Sequence, residues 1–263
     1  MQLRGSLWCM KSIFITGAAS GIGKATAWKF LSEGWTVGAY DLAEVEWADN
    51  LPPAQQSRVH TGYLDVTDEN SWQEALAEFA SKVGGHIDVL DNNAGIIISG
   101  PVAEEDPNRI RKILDVNALG VTFGARYGHR YLRGGGHLVN ISSASAIFGQ
   151  PDITVYSATK FYVEGLTEGL GQEWRKDKIR VTTVAPLWTD TKLAEADARS
   201  IDKLGVNITP EEVATQVWRS VTTKNPWRKQ QIHFGVSLVE KALRFSRRLA
   251  PDQVVKVVMR FIA

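Results

Sequence analysis

The sequence predicts an α/β protein of three layers, with a doubly wound parallel sheet covered by helices on both faces. Short apolar runs alternate with longer helix-like segments along most of the chain. This β-α-β-α order favours parallel strands, because each parallel strand is reached through a crossover helix. The predicted strands are apolar on both sides, as buried parallel strands are.

The predicted elements follow one another along the chain without a convincing linker. The strands are SIFITG, TVGAYD, RVHTGYLDV, IDVLDNNAG, GHLVNISS and RVTTVAP. Helices are predicted at 22–33, 69–83 and 110–132, and another carries Tyr156 and Lys160. Asp106 is expected to cap the segment that Pro107 opens.

Composition limits the function classes. The chain has 263 residues, 44% hydrophobic, so we expect a single domain over 11–263 preceded by an N-terminal extension, 1–10. A net charge of +1 gives no global field for nucleic acid. The single cysteine, Cys9, excludes an internal disulfide framework and fits a reducing compartment, which we take to be the cytoplasm. No signal peptide or membrane span is expected.

A glycine-rich turn follows the first predicted strand, in the stretch FITGAASGIGKA. Gly17, Gly21 and Gly23, with Ser20 and Ile22 between them, lead directly into the first helix. Glycines let the backbone approach a phosphate, and the free N–H groups of a helix start favour an anion. Tight turns also need glycine, but the position after the first strand predicts dinucleotide binding.

Asp41 ends the second predicted strand. A carboxylate there can accept hydrogen bonds from an adenosine ribose and would repel a 2′-phosphate. The flanking Ser20 and Leu42 are uncharged, and Lys24 is assigned to the helix exterior. The sequence therefore predicts NAD rather than NADP as cofactor; the alternative is a solvated strand end without a ligand.

Tyr156 and Lys160 stand four residues apart, on one face of a predicted helix. The pair could be an ordinary surface contact. Alternatively, an ammonium near a phenol could bring its pKa down from about 10 toward neutrality, so that the tyrosine exchanges a proton with an alcohol or carbonyl. Ser143, at the end of the preceding strand, could polarise the substrate oxygen.

Taken in order, the T-G-x-x-x-G-x-G at Thr16–Gly23, the NNAG at Asn92–Gly95, Ser143 and Tyr156-x-x-x-Lys160 resemble the short-chain dehydrogenase/reductase family. The resemblance implies a Rossmann-type sheet and hydride transfer between a nicotinamide cofactor and an alcohol or ketone. It implies that Tyr156 is the acid/base group. It also implies that Lys160 binds the nicotinamide ribose and lowers the pKa of the tyrosine, and that Ser143 holds the substrate oxygen.

The same resemblance assigns further residues. It implies that Asn117 helps hold a water for proton relay to Lys160. It places the adenine pocket at Asp65 and Val66, and the cofactor lining of the fourth strand at Asn93, Ala94 and Gly95.

The stretch after the sixth strand departs from the family pattern. Where the family has Pro-Gly, this chain has Pro186 followed by Leu187, which puts the loop geometry next to the nicotinamide in question. Thr189 and Thr191 match positions that hold the carboxamide, so we expect cofactor binding to survive. Trp188 either shapes the substrate pocket or packs in the core.

The remaining expectations concern the lid, the tail and partners. A lid is expected at 190–210, chiefly 192–206. A basic helical tail, 236–263, could lie on a membrane surface, cover the substrate pocket or meet a subunit; membrane contact is not favoured. The family habit implies a homodimer or homotetramer through the helices around Asn117 and Tyr156. The scattered histidines predict no metal site, and Trp28, Trp35, Trp47 and Trp72 are assigned to core packing.

The expected function is that of an NAD-dependent oxidoreductase acting on a small, apolar secondary alcohol or ketone. Two alternatives stay open. One is an epimerase or dehydratase on the same fold, for which about seventy residues after Thr191 leave little room. The other is a non-catalytic dinucleotide-binding sensor, which would need no acid/base group.

Overall fold

The protein is described as a computed structural model that covers residues 11–195, 198, 201, 205–249, 251, 253 and 257. Its strands form one parallel sheet in the order β3-β2-β1-β4-β5-β6-β7. The strands are β1 Ser12–Thr16, β2 Thr36–Asp41, β3 Val59–Tyr63, β4 Val89–Asn92, β5 His137–Ile141, β6 Arg180–Ala185 and β7 His233–Gly235. The predicted doubly wound parallel sheet is confirmed.

Helices cover both faces of the sheet. They are α1 Gly21–Ser32, α2 Pro53–Gln56, α3 Glu69–Lys82, α4 Pro107–Leu114, α5 Val121–Leu132, α6 Thr154–Glu173, α7 Pro210–Thr222, α8 Pro226–Lys229 and α9 Leu238–Leu249. As predicted, the Asp106 side chain caps α4 by accepting from the N–H of Asn108. Among the residues that the structure describes, no helix is long and apolar enough to cross a membrane.

Alternation along the strands sorts the core into two layers. Ile13 and Ile15 of β1 face α1 and α7, in a cluster that includes Phe30 and Val217. Phe14, between them, faces α3 and α5 on the other side of the sheet. Successive strand side chains point to opposite faces, so a strand that is apolar throughout is buried on both sides.

The strand order reverses between β1 and β4. From β1 the chain runs outward through β2 and β3, and from β4 it runs the other way to β7. In such a sheet a crevice opens at the carboxyl ends of the strands where the order switches, and ligands bind there. This places the ends of β1, β4 and β5 around one crevice.

Some elements differ from the sequence prediction. The helix predicted at 110–132 is interrupted by a π-helical segment, Asp115–Gly120, between α4 and α5. Strand β7 and helix α7 were not predicted. Helix α7 nevertheless begins with a capping box in which Thr209 and Glu212 satisfy each other's backbone N–H groups, so its start was readable in the sequence.

Three predicted segments lie wholly or partly outside the described residues. The N-terminal extension, 1–10, is outside them. Within the predicted lid, residues 192–195 form a short 3-10 turn, and Asp190 donates from its N–H to the Ile208 carbonyl. The predicted basic tail is described mainly through α9, which contacts α6 through an ion pair between Arg244 and Glu164.

Candidate active site

A cavity of about 1120 Å³ opens at the carboxyl ends of the central strands. Ligand sites of α/β sheets lie at this position, and the volume suits a large ligand. The sequence-predicted residues that line it are Gly17, Ser20, Gly21, Ile22, Asp41, Leu42, Asp65, Val66, Asn93, Ala94, Gly95, Ser143, Tyr156, Lys160, Pro186, Thr189 and Thr191. Gly23 and Asn117, also predicted, are not part of the lining.

The glycine loop needs glycine at three positions for different reasons. Gly17 and Gly21 have positive φ angles of 67° and 53°, a region that strains other residues. At Gly17 a Cβ would also lie 2.8 Å from the Cα of Ala94. At Gly23 a Cβ would lie 2.2 Å from the Gly17 carbonyl oxygen, so this glycine lets the helix start close against the turn. The turn therefore leaves open space above α1 for a ligand.

Thr16 and Asn93 tie the end of β4 to the glycine loop. The Thr16 hydroxyl accepts from the N–H groups of Asn93 and Ala94, both at 3.0 Å. The Asn93 amide donates to the carbonyl oxygens of Thr16 at 2.8 Å and Gly17 at 3.1 Å. Asn93 thus lies at the cavity as predicted, but its amide is used to hold the loop.

Asp41 is fixed at the end of β2 by two backbone donors. Its Oδ2 accepts from the Ala19 N–H at 2.8 Å, and its Oδ1 accepts from the Ala43 N–H at 3.0 Å. The next residue, Leu42, is 64% exposed and offers no charge. The carboxylate is thereby oriented at the cavity wall and also supports the glycine loop.

Lys24 projects from α1 at the same end of the cavity. It is exposed, and its Nζ lies 5.9 Å from the ring centroid of Trp28, one helical turn further on. Trp28 was predicted to pack in the core; instead it is half exposed and lines the cavity. Trp35, Trp47 and Trp72 are buried as predicted.

Asp65 and Val66 form the wall predicted for the adenine. The Asp65 Oδ1 accepts from both the backbone N–H and the hydroxyl of Thr67, at 2.9 and 2.7 Å. Val66 packs so closely on the π-helical segment that a Cβ at Gly120 would lie 3.0 Å from its side chain. This wall is therefore in close contact with the segment that carries Asn117.

Ser143, Tyr156 and Lys160 meet at the inner end of the cavity. The Tyr156 hydroxyl is hydrogen-bonded to the Ser143 side chain. The Lys160 Nζ lies 5.5 Å from the Tyr156 ring centroid and donates to the Ile141 carbonyl oxygen at 2.9 Å. Both Tyr156 and Lys160 are buried. The structure therefore brings the three predicted residues together.

Burial decides the protonation of this group. It raises the pKa of Tyr156 to about 12, although the hydrogen bond with Ser143 acts in the opposite direction. Burial also lowers the pKa of Lys160 to about 8. The expected lowering of the tyrosine pKa is therefore not found for these side chains, because removing the phenolate from water outweighs its favourable contacts.

Asn117 lies behind the cavity wall. Its Oδ1 accepts from the Ile96 N–H at 2.9 Å, and its Nδ2 donates to the Ile96 carbonyl at 2.8 Å and to the Thr159 hydroxyl at 3.2 Å. A Cβ at Gly95 would lie 3.3 Å from this Oδ1 and 3.6 Å from the Lys160 Nζ. Gly95 therefore lets both polar groups approach the same point. π-Helical turns occur often at functional sites.

The loop after β6 closes the other side of the cavity. The Pro186 carbonyl accepts from the Ala144 N–H at 2.9 Å, directly after Ser143. The Thr189 hydroxyl donates to the Leu187 carbonyl at 3.1 Å. At the far end of the loop, the Thr191 methyl would lie 3.2 Å from a Cβ at Gly21. This loop thus spans from the residue after Ser143 to the glycine turn.

Leu187 and Trp188 occupy apolar surroundings. Leu187 packs against Ala144, Ile147 and Phe148, so its side chain is accommodated at the cavity edge. Trp188 lines the cavity and joins the apolar cluster that contains Tyr156. Trp188 is therefore half-buried between an apolar cluster and the cavity, and the surface next to the Tyr156 hydroxyl is apolar.

Several polar residues around the site were not singled out in the sequence. Ser142 donates to the Glu164 carboxylate and to the Lys160 carbonyl, both at 3.4 Å. Glu240 and Arg244, on α9, reach the site from far along the chain. No local motif identifies such residues, because their partners are tens of positions away. Among the described residues, no group of three or more potential ligands is placed to hold a metal ion.

Comparison with known proteins identifies the class. The short chain dehydrogenase family model matches residues 11–201. L-2,3-butanediol dehydrogenase of Corynebacterium glutamicum is 33% identical over 78% of this chain and 88% of its own length. A 3-oxoacyl-acyl-carrier-protein reductase of Thermotoga maritima is 36% identical over 81% of this chain and 89% of its own.

A solved structure agrees. The 3-ketoacyl-acyl-carrier-protein reductase of Brucella melitensis, complexed with NADH, superposes with a TM-score of 0.77 at 25% identity, over 86% of this chain and 96% of its own. The chain belongs to the short-chain dehydrogenase/reductase family, and it is an oxidoreductase acting on alcohol or ketone groups.

Proposed function

We propose that this protein transfers a hydride between NAD(H) and a small apolar secondary alcohol or ketone. The observation that carries the proposal is the hydrogen-bonded pair of Tyr156 and Ser143, with Lys160 beside it, in one cavity with the glycine loop. When bound, the nicotinamide accepts or supplies the hydride. The protein contributes binding, orientation and the proton.

The cavity residues fit a dinucleotide. The glycine turn leaves room that side chains would fill, and the free N–H groups at the start of α1 favour a diphosphate. Asp41 would accept from the adenosine ribose, and Asp65 and Val66 would border the adenine. Ser20, Ile22 and Leu42 would complete that end of the site.

The nicotinamide end would be held by residues of three segments. Asn93, Ala94 and Gly95 would border it from β4, and Pro186, Thr189 and Thr191 from the loop after β6. Lys160 would donate to the nicotinamide ribose. The position of this ammonium, below Gly95 and beside Asn117, supports the assignment.

Tyr156 would exchange the proton with the substrate oxygen. A phenol with a pKa near 12 is protonated at neutral pH, so it is ready to donate to a ketone oxygen. In the alcohol-oxidising direction, positive charge from Lys160 and from an oxidised nicotinamide would favour the phenolate. The Ser143 hydroxyl would orient the same substrate oxygen.

NAD(H) is proposed over NADP(H) because of Asp41. Its carboxylate faces the cavity, and a 2′-phosphate beside it would meet like charge. Leu42 cannot compensate. Lys24 also lines the cavity, and its ammonium lies 5.9 Å from the ring centroid of Trp28.

An apolar substrate is proposed from the surroundings of the tyrosine. Ile153 and Trp188 line the cavity there. The relatives are named for a vicinal diol and for a 3-oxoacyl group, both secondary alcohol or ketone chemistry. An epimerase or a sensor is not favoured, because Ser143, Tyr156 and Lys160 meet in the cavity and the described helices after Thr191, α7 and α9, pack on strands of the same sheet.

We further propose that the chain works as a homodimer or homotetramer. The long helices around Asn117 and Tyr156 expose apolar side chains, among them Leu119, Phe161 and Tyr162. We also retain the proposal of one domain, 11–263, with a substrate lid near 190–210.

A screen of alcohols and ketones, followed by the absorbance of the reduced nicotinamide, tests the function. Turnover of apolar secondary alcohols or ketones with NAD(H) is expected. If NADH binds but no apolar secondary alcohol or ketone of a broad panel turns over, the proposed reaction is wrong.

A further inference from the structure

Two side chains of the C-terminal helix α9 reach the walls of the proposed active site. Glu240 and Arg244 are four residues apart, so they lie on one face of the helix. That face points into the protein: Glu240 is 1% exposed, and Arg244 is largely covered. The outward face carries both apolar and charged side chains, with Leu238, Phe245 and Lys241 exposed. Charged residues that face inward need partners.

Glu240 finds its partners in backbone N–H groups. Its carboxylate accepts from Leu187 at 2.5 Å, and it also accepts from Ser237 and Val236 at the turn between β7 and α9. Hydrogen bonds to a charged acceptor are stronger than neutral ones. Glu240 therefore fastens the start of α9 to the loop after β6.

Leu187 is the centre of that loop. On one side of it, the Pro186 carbonyl is bonded to the Ala144 N–H; on the other, the Leu187 carbonyl accepts from the Thr189 hydroxyl. The Leu187 N–H would otherwise be a half-buried donor at the cavity edge. The hydrogen bond from the Leu187 N–H to Glu240 therefore restrains the neighbouring residues that are proposed to border the nicotinamide.

Arg244 holds the opposite wall. Its guanidinium donates to both oxygens of Glu164, at 2.8 and 2.6 Å. Glu164 lies on α6 one turn after Lys160, and its carboxylate also accepts from the hydroxyl of Ser142, at the end of β5. A bidentate arginine–carboxylate pair restricts orientation as well as distance. This pair therefore fixes α6 against α9 directly behind the acid/base residues.

We propose that Glu240 and Arg244 are positioning residues, which together set the separation between the loop after β6 and the Tyr156–Lys160 face of α6. Neither contacts the reacting atoms; each acts through Leu187 or Glu164. The inference rests on the proposed function of the cavity for its kinetic consequences. Its structural claim, that α9 restrains the loop after β6, stands independently of turnover.

The test uses the full chain with Glu240→Gln, Arg244→Lys and the control Lys241→Gln, which removes a charge from the exposed face of the same helix. The first readout is hydrogen–deuterium exchange over 184–191, and the second is NADH binding by fluorescence. The two oxygens of Glu240 accept from Leu187 and Ser237, and glutamine keeps only one of these acceptor oxygens. Glu240→Gln should therefore speed hydrogen exchange in this loop by about tenfold or more. NADH affinity should fall by a similar factor.

Arg244→Lys should affect kcat and NADH affinity to different extents. Lysine keeps the charge but not the bidentate geometry. We expect kcat to fall about tenfold and NADH affinity to fall by a smaller factor, because the wall that carries Tyr156 and Lys160 moves while the loop after β6 stays in place. Lys241→Gln should leave exchange, affinity and kcat at wild-type values.

Each outcome decides the inference. If Glu240→Gln matches Lys241→Gln in both loop exchange and NADH affinity, Glu240 does not position the loop. If Glu240→Gln does not fold, Glu240→Asp, which is one methylene shorter, replaces it with the same expectations. If wild type turns over no alcohol or ketone, the proposed function fails, while exchange of 184–191 still tests the restraint. Equal kcat for Arg244→Lys and the control overturns the role of Arg244.

Discussion

The Lys160 ammonium donates a hydrogen bond of 2.9 Å to the carbonyl oxygen of Ile141, at the carboxyl end of β5. This contact holds the lysine under the cavity, where Gly95 leaves room for it. Because burial lowers the pKa of Lys160 to about 8, its charge is present at neutral pH and is lost on a modest rise in pH. The site therefore holds a cation whose charge responds to mildly alkaline pH.

Replacing Lys160 by methionine should weaken cofactor binding and remove most turnover, because the stem is kept and the donor is lost. In the wild type, the dissociation constant for NADH should be constant below about pH 8 and rise above it, as the lysine loses its proton. In Lys160→Met the dissociation constant for NADH should not change above about pH 8. NADH titrations from pH 6 to 9.5 measure this, with Lys82→Met as an exposed control. The same pH dependence in the methionine variant would exclude the ribose role.

Tyr156→Phe should leave NADH affinity nearly unchanged and reduce kcat by about 10²–10⁴-fold, since it deletes only the exchangeable proton. Tyr162→Phe, on the same helix, serves as control; its hydroxyl bonds to Thr122 on the surface, at 2.8 Å. Turnover of Tyr156→Phe within about threefold of wild type would contradict the acid/base role, since that change lies far below what general acid–base catalysis contributes.

Local patterns predicted much of this site. The glycine spacing around Gly21 and the four-residue step from Tyr156 to Lys160 are short-range features, and backbone geometry converts them directly into proximity. Long-range contacts were not predictable in this way. The Glu240 carboxylate meets the N–H of Leu187 across 53 positions, and nothing near either residue signals the other.

Balances between opposing effects were also misjudged from sequence. A lysine near Tyr156 suggested a lowered tyrosine pKa, but the depth of burial, which reverses the direction, depends on the whole fold. Likewise, the sequence predicts burial for Trp28 because tryptophan is apolar. Its position at the cavity depends instead on how α1 packs against the sheet. Solvent exposure of a single side chain is a tertiary property.

Asp91 should cost the protein stability. It is fully buried on β4, its side-chain oxygens have no hydrogen-bond partner among the described residues, and its strand neighbours are Ile15 and Val139. Asp91→Val should raise the free energy of unfolding at pH 7 by about 1–3 kcal/mol or more, the cost of a buried unsatisfied polar group. Denaturant unfolding measures this change.

The pH dependence gives a sharper test of Asp91. Burial raises its pKa from 3.8 to about 8, so between these values the folded protein holds a proton that the unfolded chain releases. Stability should therefore fall as pH rises through this window, by up to about 1.4 kcal/mol per pH unit relative to Asp91→Val. Asp91→Asn should also lack this slope while gaining less stability. Parallel curves for wild type and both variants would show that Asp91 is ionised in the fold.

Phe161→Glu should dissociate the proposed oligomer, because it places a charge in the apolar surface of α6, where Phe161 is 44% exposed. Trp227→Glu is a matched control: Trp227 is 84% exposed and lies on a different element, the short helix α8. Light scattering at micromolar concentration should show a dimer or tetramer for wild type and control, and a monomer for Phe161→Glu. A monomeric wild type would remove the proposal.

Cofactor choice should follow from Asp41. Its carboxylate can accept from both ribose hydroxyls through charge-assisted bonds, which are about twice as strong as neutral ones. Against a 2′-phosphate it would be repulsive, and Leu42 offers no cation. The wild type should therefore have the higher kcat/KM with NADH. Equal efficiency with NADPH would mean that Lys24 leaves Trp28 and offsets the repulsion, or that Asp41 serves only the backbone of the glycine loop.

The contact of Asp41 with the backbone of the glycine loop determines which substitution is best suited to reverse the preference for NADH over NADPH. Because Asp41 also accepts from the Ala19 N–H at 2.8 Å, alanine at this position would disturb the loop along with the charge. Asp41→Asn keeps an acceptor for Ala19 and removes the charge, and Leu42→Arg adds a guanidinium that can bind a phosphate. The double variant should gain about tenfold or more in kcat/KM with NADPH and lose a similar factor with NADH. Leu42→Arg alone, as control, should gain less, because the carboxylate would still repel the phosphate; an equal gain from the single variant would show that Asp41 does not discriminate between the two cofactors.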